Sequence, residues 1–85
     1  MTKVLRFSAA WCQPCKNLAK VLATENIDIP VYDIDEAIVK DLVYRYKIRS
    51  VPTIVIDRGG DDFDLIVGAS LSQLHRDKIK QALGS

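Results

Sequence analysis

The chain has 85 residues, of which 48% are hydrophobic and 27% charged, and its formal net charge is +1 at pH 7. This length predicts one domain with a single core, spanning residues 1–85. Lys and Arg are scattered along the chain, so nothing indicates a nucleic-acid surface. No apolar run approaches the roughly 18 residues that a membrane-spanning helix needs.

The N-terminal segment over residues 1–7 is interrupted by Arg6 and continues directly into patterned sequence. That pattern is not typical of a signal peptide, so we expect a cytoplasmic location. Thiols are kept reduced there, and two cysteines are then more often catalytic or metal-binding than structural. We expect a monomer that binds neither nucleic acid nor a membrane.

The first third of the chain predicts a strand, a helix and a second strand. Residues 4–7 are an apolar run broken by one arginine and predict a strand. Residues 13–26 carry apolar side chains at helical spacing and predict a helix. Pro14 suits the first turn of that helix, because the N–H that proline lacks would have no partner there. Residues 31–34 predict the second strand.

A second helix is predicted directly after that strand. Asp35 is a suitable capping residue for a helix that begins near Glu36. The apolar positions that follow are spaced as on one face of a helix. These positions are Ile38, Val39, Leu42, Val43 and Tyr46.

The second half of the chain predicts a β-hairpin and a final helix. Residues 53–56 form a β-branched run, which is typical of a strand buried on both faces. Turn-forming residues 58–62 separate this run from an alternating segment over residues 63–67. Ser70 and Gln73 have the spacing of a capping box for the last helix. Its predicted apolar stripe consists of Leu71, Leu74, Ile79 and Leu83.

The predicted order of elements is therefore βαβαββα. A strand–helix–strand start requires a parallel pair of strands with a right-handed crossover, and the hairpin adds antiparallel neighbours. Helices then pack on both faces of the sheet. The expected fold is α/β, with a four-stranded mixed sheet between helices.

The motif that carries chemistry is Trp11-Cys12-Gln13-Pro14-Cys15, at the predicted junction of strand and helix. Two cysteines on the first turn of a helix bring their sulfurs within bonding distance, so the pair can cycle between dithiol and disulfide. The helix N-terminus favours a thiolate. Cys12, nearer the helix start and the surface, is the predicted nucleophile. Cys15 is predicted to resolve the mixed disulfide, and Trp11, Gln13 and Pro14 to support the site.

Zinc sites use the same spacing of cysteines. A mononuclear zinc site normally needs four ligands, and this chain offers two cysteines and one histidine, His75. We therefore expect no intrachain metal and no cofactor other than the redox-active cysteine pair, while zinc shared across a dimer stays open. A purely structural disulfide is disfavoured, because so short a loop removes little entropy from the unfolded chain.

Three segments of the chain resemble the thioredoxin family. Residues 7–16, FSAAWCQPCK, are similar to its active-site segment, and residues 46–53, YKIRSVPT, to the segment with its cis-proline loop. Residues 67–69, VGA, resemble its third substrate-facing loop. The resemblance covers essentially the whole chain. It implies a thioredoxin fold, disulfide-bonded proteins as substrates, and NADPH-derived electrons delivered by a reductase of the thioredoxin reductase type.

The resemblance also implies how substrate is held. Val51–Pro52 is the candidate cis peptide bond, because an X-Pro before a buried strand needs an unusual turn. The backbone of Val51 would then face outward and pair with an extended substrate segment. Gly68 and Ala69 are the expected contacts from the third loop. Trp11 is expected to cover part of the surface beside the reactive cysteine and to offer a flat contact.

Two features depart from the family. The chain begins at the strand that leads into the active site, so its size is nearer to that of a glutaredoxin. The family's buried aspartate is replaced by Arg6, and the lysine that often accompanies it by Val31. The usual proton relay to the resolving cysteine is thus missing from its normal positions. Asp33 and Asp35 are the nearest acids in sequence that could serve instead.

Two other functions stay open at this point. A glutaredoxin-like, glutathione-dependent oxidoreductase would give a role to residues 59–62, GGDD, which superficially resemble that family's glutathione-binding segment. That segment follows Pro52 too closely and lies in the predicted hairpin turn, so we prefer the turn. The third possibility is a thioredoxin-fold docking or scaffold subunit, which would need neither cysteine.

Overall fold

The computed structural model describes residues 2–84. Three α-helices and four strands follow one another in the predicted order, with a 3-10 helix added before the second α-helix. The elements are β1 (Lys3–Ser8), α1 (Gln13–Thr24), β2 (Val31–Asp33), the 3-10 helix (Ala37–Val39), α2 (Lys40–Arg45), β3 (Thr53–Asp57), β4 (Phe63–Val67) and α3 (Gln73–Leu83).

The four strands form one mixed sheet in the order β2-β1-β3-β4. β1 is parallel to β2 and antiparallel to β3, and β3 is antiparallel to β4. All five residues of β3 are buried, as its β-branched run predicts for a central strand. In the edge strand β4 the core residue is Ile66, whereas Leu65 and Val67 are exposed.

Helices cover both faces of the sheet, which confirms the predicted α/β architecture. Alternate residues of the central strands point to opposite faces, so each face has its own core. On one face Val4 and Ile54 pack with Leu18 of α1 and Ile79 of α3. On the other face the strand residues pack against the 3-10 helix and α2, in a cluster of Leu5, Phe7, Val39, Tyr46 and Val55.

The first helix ends at Thr24, two residues before the predicted end. Asn26 has a left-handed backbone with φ +59°. The N–H of Ile27 then donates to the carbonyl of Leu22, which satisfies one of the last carbonyls of the helix. Chain reversal at Asn26 therefore sets the end of α1.

The predicted cap at Asp35 is wrong. Its carboxylate accepts a hydrogen bond from Trp11, and the N-cap position of the 3-10 helix is Glu36, which makes no side-chain cap bond. Ile38, predicted on the core face, is 85% exposed. A 3-10 turn has about three residues rather than 3.6, which rotates Ile38 away from the sheet. The other four predicted positions are buried or half-buried: Val39, Leu42, Val43 and Tyr46.

The predicted capping box of Ser70 and Gln73 is also wrong. α3 begins at Gln73, and its N-cap is Ser72, whose hydroxyl oxygen accepts from the backbone N–H of His75 at 3.1 Å. Gln73 donates to Asp77 on the next turn. The cap is therefore a single serine two residues later than predicted.

The predicted stripe of the last helix is only half right. Leu71 and Ile79 are buried, but Leu74 is 63% exposed and Leu83, the last helical residue, is 42% exposed. Leu74 precedes Ile79 by five residues, which places the two side chains on different faces of the helix. No helix of residues 2–84 is long and apolar enough to cross a membrane.

Candidate active site

The two cysteines lie at the junction of β1 and α1. Cys12 is the N-cap of α1, with an extended backbone, and Cys15 lies in the first turn of the helix. They form a disulfide, with their Cα atoms 5.3 Å apart. The backbone N–H of Cys15 points at the sulfur of Cys12, at an N–S distance of 3.2 Å. Both residues are buried, Cys12 at 4% and Cys15 at 1% exposure, so Cys12 is marginally nearer the surface.

The helix N-terminus places positive potential at the Cys12 sulfur. The first N–H groups of a helix have no intrahelical partner and carry part of the helix dipole. α1 has no acidic residue in its first turn that would offset this potential. Pro14 lies in the same turn, as predicted, where it needs no N–H. The arrangement stabilises negative charge on Cys12 once the disulfide is opened.

A cis-proline loop closes over the cysteines. The Val51–Pro52 peptide bond is cis, as predicted. The Cys12 sulfur lies 3.6 Å from the carbonyl oxygen of Val51, and Val51 packs against the cluster formed by Ala9, Cys12 and Cys15. Val51 therefore presents its backbone directly beside the candidate nucleophile.

The loop after β4 is tied to the same proline. The backbone N–H of Gly68 donates to the carbonyl of Pro52 at 3.0 Å. Gly68 has φ +102°, a conformation that L side chains rarely adopt, and open space lies where a Cβ would be. Ala69 packs against the core between the sheet and helices α1 and α3. The predicted loop is thus at the site, with the Ala69 side chain turned towards the protein.

Trp11 lies on the surface beside the cysteines and is 68% exposed. Its indole Nε1 donates to Asp35 Oδ2 at 2.8 Å. Gln13 is exposed and bonds Asn17 one turn along the helix, at 3.2 Å. The bond between Trp11 and Asp35 was not predicted, because the two residues are 24 positions apart and nothing in either segment indicates the other.

Arg6 and Val31 occupy the positions of the family's proton relay. They are paired neighbours in the sheet, Arg6 on β1 and Val31 on β2. The Asp33 carboxylate accepts from the backbone N–H of Asp35 at 2.8 Å, and Asp35 binds Trp11. Among residues 2–84, no hydrogen bond joins either carboxylate to a cysteine. Burial lowers the pKa of the Arg6 guanidinium, whose Nε has no hydrogen-bond partner among the described residues.

Comparisons with known proteins agree with this geometry. The Thioredoxin family model matches residues 1–83. The chain belongs to the thioredoxin family. It is 34% identical to Thioredoxin H5 of Oryza sativa subsp. japonica, covering 94% of this chain and 61% of the relative. It is 33% identical to Thioredoxin-2 of Saccharomyces cerevisiae, covering 96% of this chain and 77% of the relative.

Solved thioredoxin structures share the fold. The Malassezia sympodialis thioredoxin superposes with a TM-score of 0.73 at 31% identity, covering 95% of this chain and 74% of that one. The Fasciola hepatica thioredoxin gives 0.70 at 29% identity, with 95% and 80% covered. This chain spans less than two thirds of the length of the rice relative.

Residues 59–62 form the predicted hairpin turn, in which Gly59 and Gly60 have φ +106° and +59°. His75 is half-buried in the first turn of α3. Within residues 2–84, no group of three or more His, Cys, Asp or Glu side chains could hold a metal ion.

One buried polar pair near the far end of β3 was not predicted. Tyr46 Oη donates to Asp57 Oδ2 at 2.5 Å, and the backbone N–H of Gly59 donates to Asp57 Oδ1 at 2.8 Å. Both side chains are 1% exposed. Burial and the Asp57 partner raise the pKa of Tyr46 to about 12. The bonds from Tyr46 and Gly59 hold the pKa of Asp57 below its ordinary value.

Proposed function

We propose that this chain is a thiol–disulfide oxidoreductase that reduces disulfides of other proteins through Cys12 and Cys15. The observation that carries the proposal is the cysteine pair at the start of α1, at disulfide distance and beside the cis-proline loop. Membership of the thioredoxin family supports the same chemistry. The pair itself is the redox group, so the proposed reaction needs no bound cofactor.

In the first step the reduced chain attacks its substrate. The Cys12 thiolate forms a bond to one sulfur of the substrate disulfide, and the substrate's sulfur–sulfur bond breaks. The other substrate sulfur leaves as a thiolate and takes a proton from water. The N–H of Cys15 and the start of α1 stabilise the attacking anion.

In the second step Cys15 releases the product. Its thiolate attacks the Cys12 sulfur of the mixed disulfide, and the second substrate sulfur leaves as a thiolate. The chain is then oxidised, with the Cys12–Cys15 bond seen in the structure. Two electrons have passed to the substrate. A dithiol reductant or an NADPH-driven reductase returns the chain to the dithiol state.

Substrate would lie in the angle between Trp11 and the cis-proline loop. An extended segment is proposed to pair with the backbone of Val51, with half-buried Gly68 forming the adjoining surface and the fully buried Pro52 supporting the loop beneath it. Trp11 offers an exposed flat face on the other side of Cys12. Gln13 and Pro14 are exposed on the first turn of α1, and Ala69 supports the Gly68 loop from below.

The electron donor and the setting are part of the proposal. We propose a thioredoxin-reductase-type donor, a cytoplasmic location and a monomer that carries electrons from that reductase to protein disulfides. Membership of the thioredoxin family supports the donor and the disulfide substrates. A role in maintaining the reduced state of cytoplasmic thiols follows from it.

The decisive test is reduction of insulin disulfides with dithiothreitol as the electron source. We expect the natural chain to accelerate the reaction and Cys12→Ser to abolish the acceleration. Circular dichroism of Cys12→Ser checks that the fold is retained. Full activity of Cys12→Ser would overturn the mechanism.

The electron donor is tested by a coupled NADPH assay. We expect NADPH to be oxidised in the presence of thioredoxin reductase. We expect no oxidation with glutathione and glutathione reductase. Turnover with glutathione alone would favour the glutaredoxin-like function over the proposed one. Partner binding that survives loss of both cysteines, without any turnover, would favour the scaffold.

A further inference from the structure

A groove with a volume of about 710 Å³ lies along α2. Its floor is apolar, formed by Ile34, Val43 and Ile48, which are all half-buried. Ile34 also packs against the cluster formed by Ala9, Cys12 and Cys15. The groove therefore begins at the active site and continues away from it along the helix.

The rim of the groove is strongly basic. It carries Lys40, Arg45, Lys47 and Arg49, a third of the 12 Lys and Arg residues in a chain of net charge +1. None of the ion pairs formed among residues 2–84 includes one of these four cations. Arg45 is partly engaged, because its guanidinium lies 5.6 Å from the centre of the Tyr46 ring.

Acidic side chains lie near the groove but not in it. Asp41 is on α2 and Glu36 precedes it, yet the residues that line the groove include no carboxylate. Tyr44 adds an aromatic ring that is 87% exposed. A groove with this floor and rim is complementary to an extended segment that combines an apolar side chain with flanking acids.

We infer that this groove selects protein substrates whose reactive cysteine is flanked by acidic residues. The inference rests on the proposed function, because the substrate segment that pairs with Val51 would continue into the groove. Arg49, on the basic rim, is two residues before Val51. Acidic residues next to the substrate cysteine would therefore lie close to this arginine. The basic rim attracts an acidic segment and accelerates its encounter with the chain, whereas it repels a basic segment.

The test uses peptides with one cysteine, joined by a disulfide to a coloured aromatic thiol. Three versions carry Glu, Gln or Lys at the two positions on each side of the cysteine. The pre-reduced chain is mixed with each, and release of the coloured thiol gives a second-order rate constant. The same peptides reacted with dithiothreitol provide the control for intrinsic disulfide reactivity. We expect the Glu peptide to react about tenfold faster than the Lys peptide in low salt, with the difference falling as salt rises.

Charge reversal in the groove should reverse this order. Lys40→Glu combined with Arg49→Glu is expected to make the Lys peptide react faster than the Glu peptide. The matched control is Lys20→Glu combined with Lys78→Glu, the same change in charge at exposed positions of α1 and α3, across the sheet from α2. This control should keep the preference for Glu. Equal rates for all three peptides would overturn the inference while leaving the proposed function intact.

A binding measurement separates the groove from the chemistry. Peptides with serine in place of cysteine are titrated calorimetrically into the Cys12→Ser, Cys15→Ser chain. Tighter binding of the Glu version supports the inference even if no peptide is reduced, in which case the proposed function fails alone. Equal binding of the Glu and Lys versions overturns it. So does a dimer in sedimentation that Lys40→Glu with Arg49→Glu dissociates, because a second copy would then occupy the groove.

Discussion

Each end of β3 lies beside a buried functional group, and the two groups differ in their roles. At the start of the strand, the cis-proline loop lies beside the Cys12–Cys15 disulfide, the bond that opens and closes during the redox reaction. At the other end, Asp57 is held by Tyr46 and Gly59, with a donor at each carboxylate oxygen. A buried polar group needs such partners, because leaving it unpaired costs free energy. A buried sulfur pair beside a surface groove serves chemistry instead.

The largest expected effect on stability is at the Asp57 end. Asp57→Ala leaves the Tyr46 hydroxyl and the Gly59 N–H without their partner. Each unpaired buried group costs about 1–3 kcal/mol, so we expect a loss of roughly 3 kcal/mol in the free energy of unfolding. Urea denaturation measures the loss. The rate of peptide-disulfide reduction by the folded fraction should not change, and a parallel fall in that rate would mean that the two ends are coupled.

The alkaline limb of the stability curve sharpens the same contrast. Because the pKa of Tyr46 is raised from 10.0 to about 12 in the folded chain, its protonated form is favoured by folding. This contribution is fully present below pH 10 and is lost as pH rises through 12. Denaturation of the oxidised chain across this range measures it. Tyr46→Phe is the control, and an equally steep alkaline loss in that variant would contradict the assignment.

The acidic limb depends on Asp57. Its pKa is lowered on folding, chiefly by the bond from Tyr46, so its contribution to stability is present above the ordinary pKa of about 3.9. It is lost as pH falls through the lower folded value. Asp57→Asn should flatten stability in this acidic range relative to the natural chain. An unchanged acidic limb in Asp57→Asn would show that other carboxylates set it.

A smaller gain is expected at Arg6. Its Nε is buried without a partner among residues 2–84, and burial disfavours its charge. Arg6→Met keeps an unbranched side chain as far as the position of Nε without its polar atoms, so we expect stability to rise by about 1 kcal/mol. Thermal unfolding checks this, with Lys20→Met, an exposed position, as the control that should change little. A loss of stability in Arg6→Met would show that the guanidinium is satisfied after all.

The smallest expected effect on stability lies at the active-site surface. Asp35→Ala removes the acceptor of the Trp11 indole, and both groups are exposed, so stability should change by about 0.5 kcal/mol or less. The freed ring should lower kcat/KM for peptide disulfides a few-fold. Trp11 is the chain's single tryptophan, so its fluorescence anisotropy reports the added motion directly. Asp35→Asn keeps an oxygen acceptor, so its kcat/KM should fall between those of the natural chain and Asp35→Ala.

Local patterns predicted the elements whose burial is simple. The β-branched residues of β3 and Pro14 at the start of α1 specify their own conformations. The cysteine pair and the cis-proline loop were predicted as sites, the second through its family resemblance. The residues that determine each of these features are adjacent in the sequence, so a single sequence is enough to recognise them.

What was missed depends on contacts between distant segments. Asp35 was predicted to cap a helix because its bond to Trp11, 24 residues away, leaves no local signal. Ser70 and Ser72 are equally good caps in isolation, and where the chain enters α3 decides between them. A charged residue after a β-branched run is expected at the surface. Asp57 is buried because Tyr46 and the hairpin turn supply its donors.

Trapping the mixed disulfide tests the central claim most directly. Reduced Cys15→Ser is incubated with a peptide disulfide, and the products are analysed by mass spectrometry without reductant. We predict a stable adduct of one peptide on Cys12, and no adduct with reduced Cys12→Ser. An adduct on Cys15 in Cys12→Ser, formed at the rate seen for Cys12, would contradict the assignment of Cys12 as the attacking sulfur.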